Sequence, residues 1–483
     1  MASEQFRRQL QQEAEQWQVD GLIDTDQYQR LADRYEFGKL DLVARDRFIA
    51  IVIGLGSVLL GLSVITFVAA NWQAIPRELK LALLLALLIG VNAIGFYLWQ
   101  RPRPSQREGW PQRLGQGLLL LGGLILGANM ALLGQLFHIS GSIAGLCIIW
   151  GLAVLAMAYG LRLLSLGALA ILLVGIGYWS GMANGGDDYA TWVEILLHYM
   201  PLLAAGLFLP LAYFCRSRIL FTLGAIAIFT AFSTNLSAFS FALPSGLRYP
   251  ITLLLPIAFL WSYDDTLWQN LIRRNRPQPD ADPVFQPIAK GLALLCLTVL
   301  LYVLSFHGFW DYLSQSLSAA PRPNQVQAER LLLFLNPNFL VFLAVTLFQW
   351  SYLARPRRRP GWRFSLMDGT ILAFIGILTG LLVWQGSQGG VSAIATFLVN
   401  LLLFLLAAGY LREGLAEGQR RLFWSGMILL TLQILSRLLE YETGLLLKSL
   451  AFLLCGIGII LIGLWFERHI RTLRNLPTSE DSR

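Results

Sequence analysis

The order of apolar and polar positions divides the chain into three parts. Residues 1–47 are polar with two short helical periodicities, residues 48–467 are a succession of long apolar runs with short polar breaks, and residues 468–483 are polar again. The first run, Phe48 to Ala70, holds no ionisable side chain. At about 1.5 Å of rise per residue it is long enough to cross a hydrocarbon core of about 30 Å. Further runs lie near 79–99, 115–137, 142–161, 163–182, 195–214, 219–240, 249–267, 286–306, 331–353, 369–385, 390–411, 421–439 and 445–466. The pattern predicts an all-α polytopic transmembrane bundle of about fourteen spans, preceded by a small cytosolic helical hairpin. Twelve spans would preserve the same alternation of sides; an odd number would not.

In residues 4–36, Leu10, Ala14 and Trp17 recur on one helical face, and Tyr28, Leu31 and Tyr35 recur on another. Gly21 suits the end of the first helix. Asp24, with Gln27 three residues on, suits the start of the second, each side chain reaching the other's free amide. So short a pair buries little apolar area, which makes Trp17, Leu22, Ile23 and Tyr28 candidates for contact with a protein partner, a second copy, the membrane surface or the chain's own cytosolic loops; the alternative is a cap folded onto its own membrane domain.

Charge adds an orientation. With the N-terminus in the cytosol, most of the 37 Lys and Arg residues fall in cytosolic loops and tails, among them clusters near Arg101–Arg113, Arg273–Arg276, Arg355–Arg363 and Arg468–Arg474. The net charge of +8 therefore reports topology and does not call for nucleic acid. A composition of 56% hydrophobic and 14% charged residues departs far from the soluble average of about 45–50% and 25%. The first 47 residues have no apolar core of a cleavable signal, so the first span is expected to remain as an anchor. Cys147, Cys215, Cys296 and Cys455 are dispersed along apolar segments and read as packing residues. The outer loop at 183–194 is acidic, and Phe309, Trp310 and Tyr312 in the loop at 307–330 suit an interfacial turn.

Polar groups at membrane depth are costly and so point to sites or to interhelical contacts. Asn92, Asn129, Asn235, Asn400 and Gln433 lie inside apolar runs, and Gln135, His138, Arg437 and Glu440 lie near their outer ends. Arg437 and Glu440, three apart, can pair on one helix face. Asn129, Gln135, His138, Gln433, Arg437 and Glu440 form the candidate polar cavity; the alternative makes the amides interhelical bonds and leaves the charged pair at the outer interface. No carboxylate falls mid-helix, so the usual residues of a proton- or sodium-coupled pump are missing. Phosphate-binding loop, zinc-protease and serine-hydrolase motifs are absent, and the four histidines are scattered. No catalytic, cofactor-binding or metal site is expected.

The hairpin with Trp17 and Gly21-Leu22-Ile23, the run ending Phe67-Val68-Ala69-Ala70-Asn71-Trp72, then Ile75-Pro76 and Lys80, resembles a bacterial family of predicted multi-pass membrane proteins carrying only a domain-of-unknown-function label. Gly134-Gln135-Leu136-Phe137-His138 followed by Gly141 and Trp150, and the segment Arg421 to Arg468, extend the resemblance. It implies a bacterial cytoplasmic membrane or an internal photosynthetic one, and it supplies no activity. Two functions fit the pattern. One is a carrier or flippase-like transporter of a small or amphipathic solute; the other is a membrane scaffold or assembly factor using residues 4–36.

Overall fold

The computed structural model describes residues 4–35, 76–101, 110–138, 141–183, 191–239, 245–265, 267, 285–318, 337–354, 366–388, 390–416, 418–441 and 444–474. The apolar run 48–70 with Asn71 and Trp72, the arginines at 273–276 and 355–363, and most of the two longer outer loops lie outside these residues. Among the described residues every regular element is a helix. The chain divides into two compact units, Met1–Leu87 and Leu88–Arg483.

The first unit begins with α1 (Glu4–Val19) and α2 (Thr25–Tyr35). Gly21, at φ +71°, takes the left-handed conformation that a side chain resists. Leu22 N–H then donates to the Trp17 carbonyl at 2.8 Å, closing α1. Gln27 N–H donates to Asp24 Oδ1 at 2.9 Å and Asp24 N–H to Gln27 Oε1 at 3.1 Å, so the expected reciprocal cap forms. Ala14 is fully buried between the two helices, with Leu10, Trp17, Ile23, Tyr28 and Ala32 packed around it. Tyr28 donates to Glu15 at 3.4 Å; partial burial, then the Glu15 carboxylate, raise its hydroxyl above the ordinary tyrosine pKa. Helix α3 (Arg77–Gln100) runs through the boundary between the units.

The second unit is a bundle of α4 (Trp110–Leu136), α5 (Ile143–Leu161), α6 (Leu164–Ala183), α7 (Thr191–His198), α8 (Met200–Phe214), α9 (Arg218–Phe239), α10 (Ser245–Trp261), α11 (Gln286–Leu304), α12 (His307–Ser318), α13 (Pro337–Leu353), α14 (Leu366–Gln388), α15 (Ser392–Ala416), α16 (Arg420–Glu440) and α17 (Leu445–Arg474). Each apolar run after the first thus contains a described helix. Counting α3, ten of the described helices are long and apolar enough to cross a membrane alone, eleven if the bent pair α7–α8 is one span, and α10 and α13 are shorter.

Close packing comes first from glycines. A Cβ on Gly177 of α6 would stand 2.9 Å from the Ala144 carbonyl of α5, and one on Gly127 of α4 would collide with the Trp150 indole. Trp150 Nε1 instead donates to the Gly123 carbonyl at 2.7 Å, so the Gly-x-x-x-Gly pairs Gly123/Gly127 and Gly177/Gly181 sit at helix contacts. The continuous core then runs from α5 through α9, α10 and α11 to α15, with Phe208, Phe232, Trp261 and Leu301 among its buried members.

Polar bonds close the weak points. The run expected as one helix at 195–214 breaks at Tyr199, ahead of Pro201, and bends by 72°. The carbonyls at the break find amides on other helices: Asn235 Nδ2 donates to Leu197 and His198, both at 2.9 Å, and Asn338 Nδ2 donates to His198 at 2.7 Å. Asp265, buried just past α10, accepts from the amides of Phe285 and Gln286 at 2.8 Å each and from Tyr213 at 2.8 Å. It caps α11 and lies at a helix end, as the sequence places it. Helix α17 carries little of the core; Phe466 stacks on Phe423 at 3.8 Å and Gly463 meets Trp424.

Candidate functional site

One group of polar residues of the second unit comes together where α11 ends, α12 begins, and α15 and α16 pass side by side. Ser305 closes α11, so its carbonyl has no continuing helix to bond. Asn400 Nδ2 of α15 donates to it at 3.0 Å and Arg437 Nη1 of α16 at 2.5 Å. Glu440 takes the other half of the elbow: its Oε1 accepts from the His307 amide at 2.6 Å, where the start of α12 favours an anion. Arg437 Nη1 also pairs with Glu440 Oε2, and the guanidinium lies 4.2 Å over the Phe306 ring. The predicted i, i+3 pair therefore forms, with each side chain less than a fifth exposed.

One turn before Arg437, Gln433 Nε2 donates to the Asn400 carbonyl at 2.8 Å. Since a backbone carbonyl only accepts, this bond fixes which end of the amide is nitrogen and turns Oε1 elsewhere. Beside these residues lies a cleft of about 650 Å³ between α15 and α16. It runs from Ala393 to Phe404 on α15, reaching the middle of that helix, and from Leu430 on α16 to Tyr441 just past its end. Its polar lining is Thr396, Asn400, Gln433 and Arg437, together with His307 and Tyr441; Phe397, Phe404 and Ile434 give it an apolar wall. A second cleft, of about 400 Å³, is lined by residues 405–416 of α15 together with α11 and α14. The helical period puts the two clefts on opposite sides of α15.

Of the six residues expected to share a cavity, Gln433, Arg437 and Glu440 come together. Asn129, Gln135 and His138 lie on or just past α4, which packs against α5 and α6, and they do not line this cleft. Asn129 is buried, whereas Gln135 and His138 are exposed, with His138 at φ +52° closing the helix end. Thr396 and Ser305, which the sequence reading passed over, complete the site. Asn400 carried a signal as a lone amide in an apolar run, and Thr396 stands one turn before it. Of the hairpin candidates, Trp17, Ile23 and Tyr28 pack around Ala14, and Leu22 is 71% exposed.

Residues 15–167 match the family described as predicted membrane protein (DUF2157), a span from the hairpin to the start of α6. No curated protein and no solved structure matches the chain. The cleft on α15 and the segment 421–468 lie beyond the matched residues. Over residues 15–167 the chain thus matches an uncharacterised family of membrane proteins known by its domain-of-unknown-function label, the kind its N-terminal motifs resemble.

Proposed function

We propose that this integral membrane protein is a carrier for an amphipathic solute, which binds in the cleft between α15 and α16. The observation that carries this reading is the cleft itself: polar groups on its floor, aromatic and aliphatic groups on its wall, and a reach to the middle of α15. The second cleft supports it, because α15 then stands as a partition between two openings on its opposite sides, and a small tilt of one helix exchanges access between them. With the N-terminus in the cytosol of a bacterial inner or internal photosynthetic membrane, the Arg437 cluster faces the outer side and the second cleft the inner. The test is transbilayer movement of a fluorescent single-chain amphiphile in proteoliposomes. A rate above that of protein-free vesicles supports the carrier; equal rates refute it.

A second reading, a scaffold that binds a protein partner through residues 4–36, rests on the exposed tip of the hairpin, where Val19 is 86% and Leu22 71% exposed. For that reading, replacing both residues by Ser abolishes a co-purifying partner while the bundle stays folded. Unchanged partners count against it.

A further inference from the structure

Three polar atoms on residues that line the cleft are buried in its floor without a hydrogen-bond partner: Thr396 Oγ1, Gln433 Oε1 and Arg437 Nε. Thr396 and Gln433 are only 6% and 9% exposed. A buried polar atom left unbonded is costly, and a group that bonds it on binding recovers that cost. The three atoms ask for different things. Arg437 Nε only donates, Gln433 Oε1 only accepts, and the Thr396 hydroxyl does either.

Charge narrows the choice. Arg437 is the cation of this lining, and Glu440 already neutralises it. His307, also on the lining, has Asp311 3.6 Å from its Nε2. A phosphate would enter without a free positive partner, and as an acceptor it would leave Gln433 Oε1 unbonded. An ammonium would donate to Gln433 and leave Arg437 Nε unbonded. A hydroxyl both donates and accepts, so one or two hydroxyls satisfy all three atoms without bringing charge into the bilayer. Phe397, Phe404 and Ile434 then lie where an acyl or prenyl tail would run.

From this we infer that the cleft binds a lipid whose head group is uncharged and bears hydroxyls, either a sugar or a free glycerol hydroxyl. The inference rests on the cleft being the binding site of the carrier reading and adds the class of its ligand. It is tested on the purified full chain in detergent by native mass spectrometry, with monogalactosyl diacylglycerol, diacylglycerol and phosphatidylglycerol of the same acyl chains as probes. The wild type retains the galactolipid, or both uncharged lipids, about tenfold over phosphatidylglycerol; the two uncharged probes separate a sugar head from a glycerol hydroxyl. Thr396→Val keeps the shape and removes one unbonded hydroxyl. It lowers retention of the uncharged lipid roughly three- to tenfold, the worth of one hydrogen bond, leaves phosphatidylglycerol unchanged, and does not lower the melting temperature. Phosphatidylglycerol retained as well as the uncharged lipids overturns the inference, as does retention indifferent to Thr396→Val. Retention without transbilayer movement keeps the inference and removes the carrier; movement indifferent to head group and to Thr396→Val does the reverse.

Discussion

The Arg437–Glu440 pair holds the elbow between α11 and α12 against α16, and its energetics are open to a double-mutant cycle. The two carboxylate oxygens divide their work, one toward Arg437 and one toward the His307 amide. Glu440→Gln keeps an oxygen for His307 and removes the charge that Arg437 faces. At an effective dielectric of about 20, two unit charges 4 Å apart attract by about 4 kcal/mol, and desolvating the pair offsets a large part of it. The side chains are 18% and 16% exposed, so the remaining charge in either single variant is poorly solvated. Glu440→Gln and Arg437→Met should each cost about 2–3 kcal/mol. The double variant leaves no orphan charge, and should cost less than the sum by about 2 kcal/mol. Unfolding by SDS titration of the detergent-held protein measures all four corners of the cycle. Additive losses, with a coupling below about 0.5 kcal/mol, would refute the buried-pair reasoning and put both side chains in water.

Other contacts make separate predictions. Gly127→Ala drives a methyl into the Trp150 indole and should cost about 1–3 kcal/mol, whereas Gly134→Ala, with nothing within 4 Å of the new Cβ, should leave the melting temperature unchanged or raised. Equal effects would remove the close α4–α5 contact. Asn235→Leu takes the side-chain donor from the Leu197 carbonyl at the α7–α8 break. It should destabilise by about 1–3 kcal/mol and speed hydrogen exchange around 199–203; an unchanged exchange pattern would show that the break does not depend on this amide.

Much of the architecture was legible because a bilayer imposes a simple rule on sequence. A segment that must satisfy its own backbone bonds in hydrocarbon is a helix, and an uninterrupted apolar run marks it. The hairpin cap was legible for a related reason, since Asp24 and Gln27 meet within one turn. Arg437 and Glu440 share a face three residues apart and could be paired on sight. What escaped were partnerships between helices. Nothing local says that Gln433 reaches the Asn400 carbonyl, or that the Ser305 carbonyl collects Asn400 and Arg437 from two helices. Asn129, Gln135 and His138 joined the candidate cavity by polarity alone, and polarity does not say which neighbour a helix face meets. The break after His198 had one signal, Pro201 within an apolar run, which restricts the residue before it and starts a new helix.

Whether the cleft carries solute is decided by the rate at which a fluorescent amphiphile crosses the bilayer of proteoliposomes, for the wild type and for Ala393→Trp. Ala393 sits at one end of the cleft and is exposed, so the indole fills the entrance without displacing core. Transport by a cleft between α15 and α16 gives a measurable rate for the wild type and a loss of tenfold or more in a variant that still elutes as folded protein. A wild type that moves no amphiphile faster than empty vesicles, or a filled cleft that transports at the wild-type rate, would contradict it.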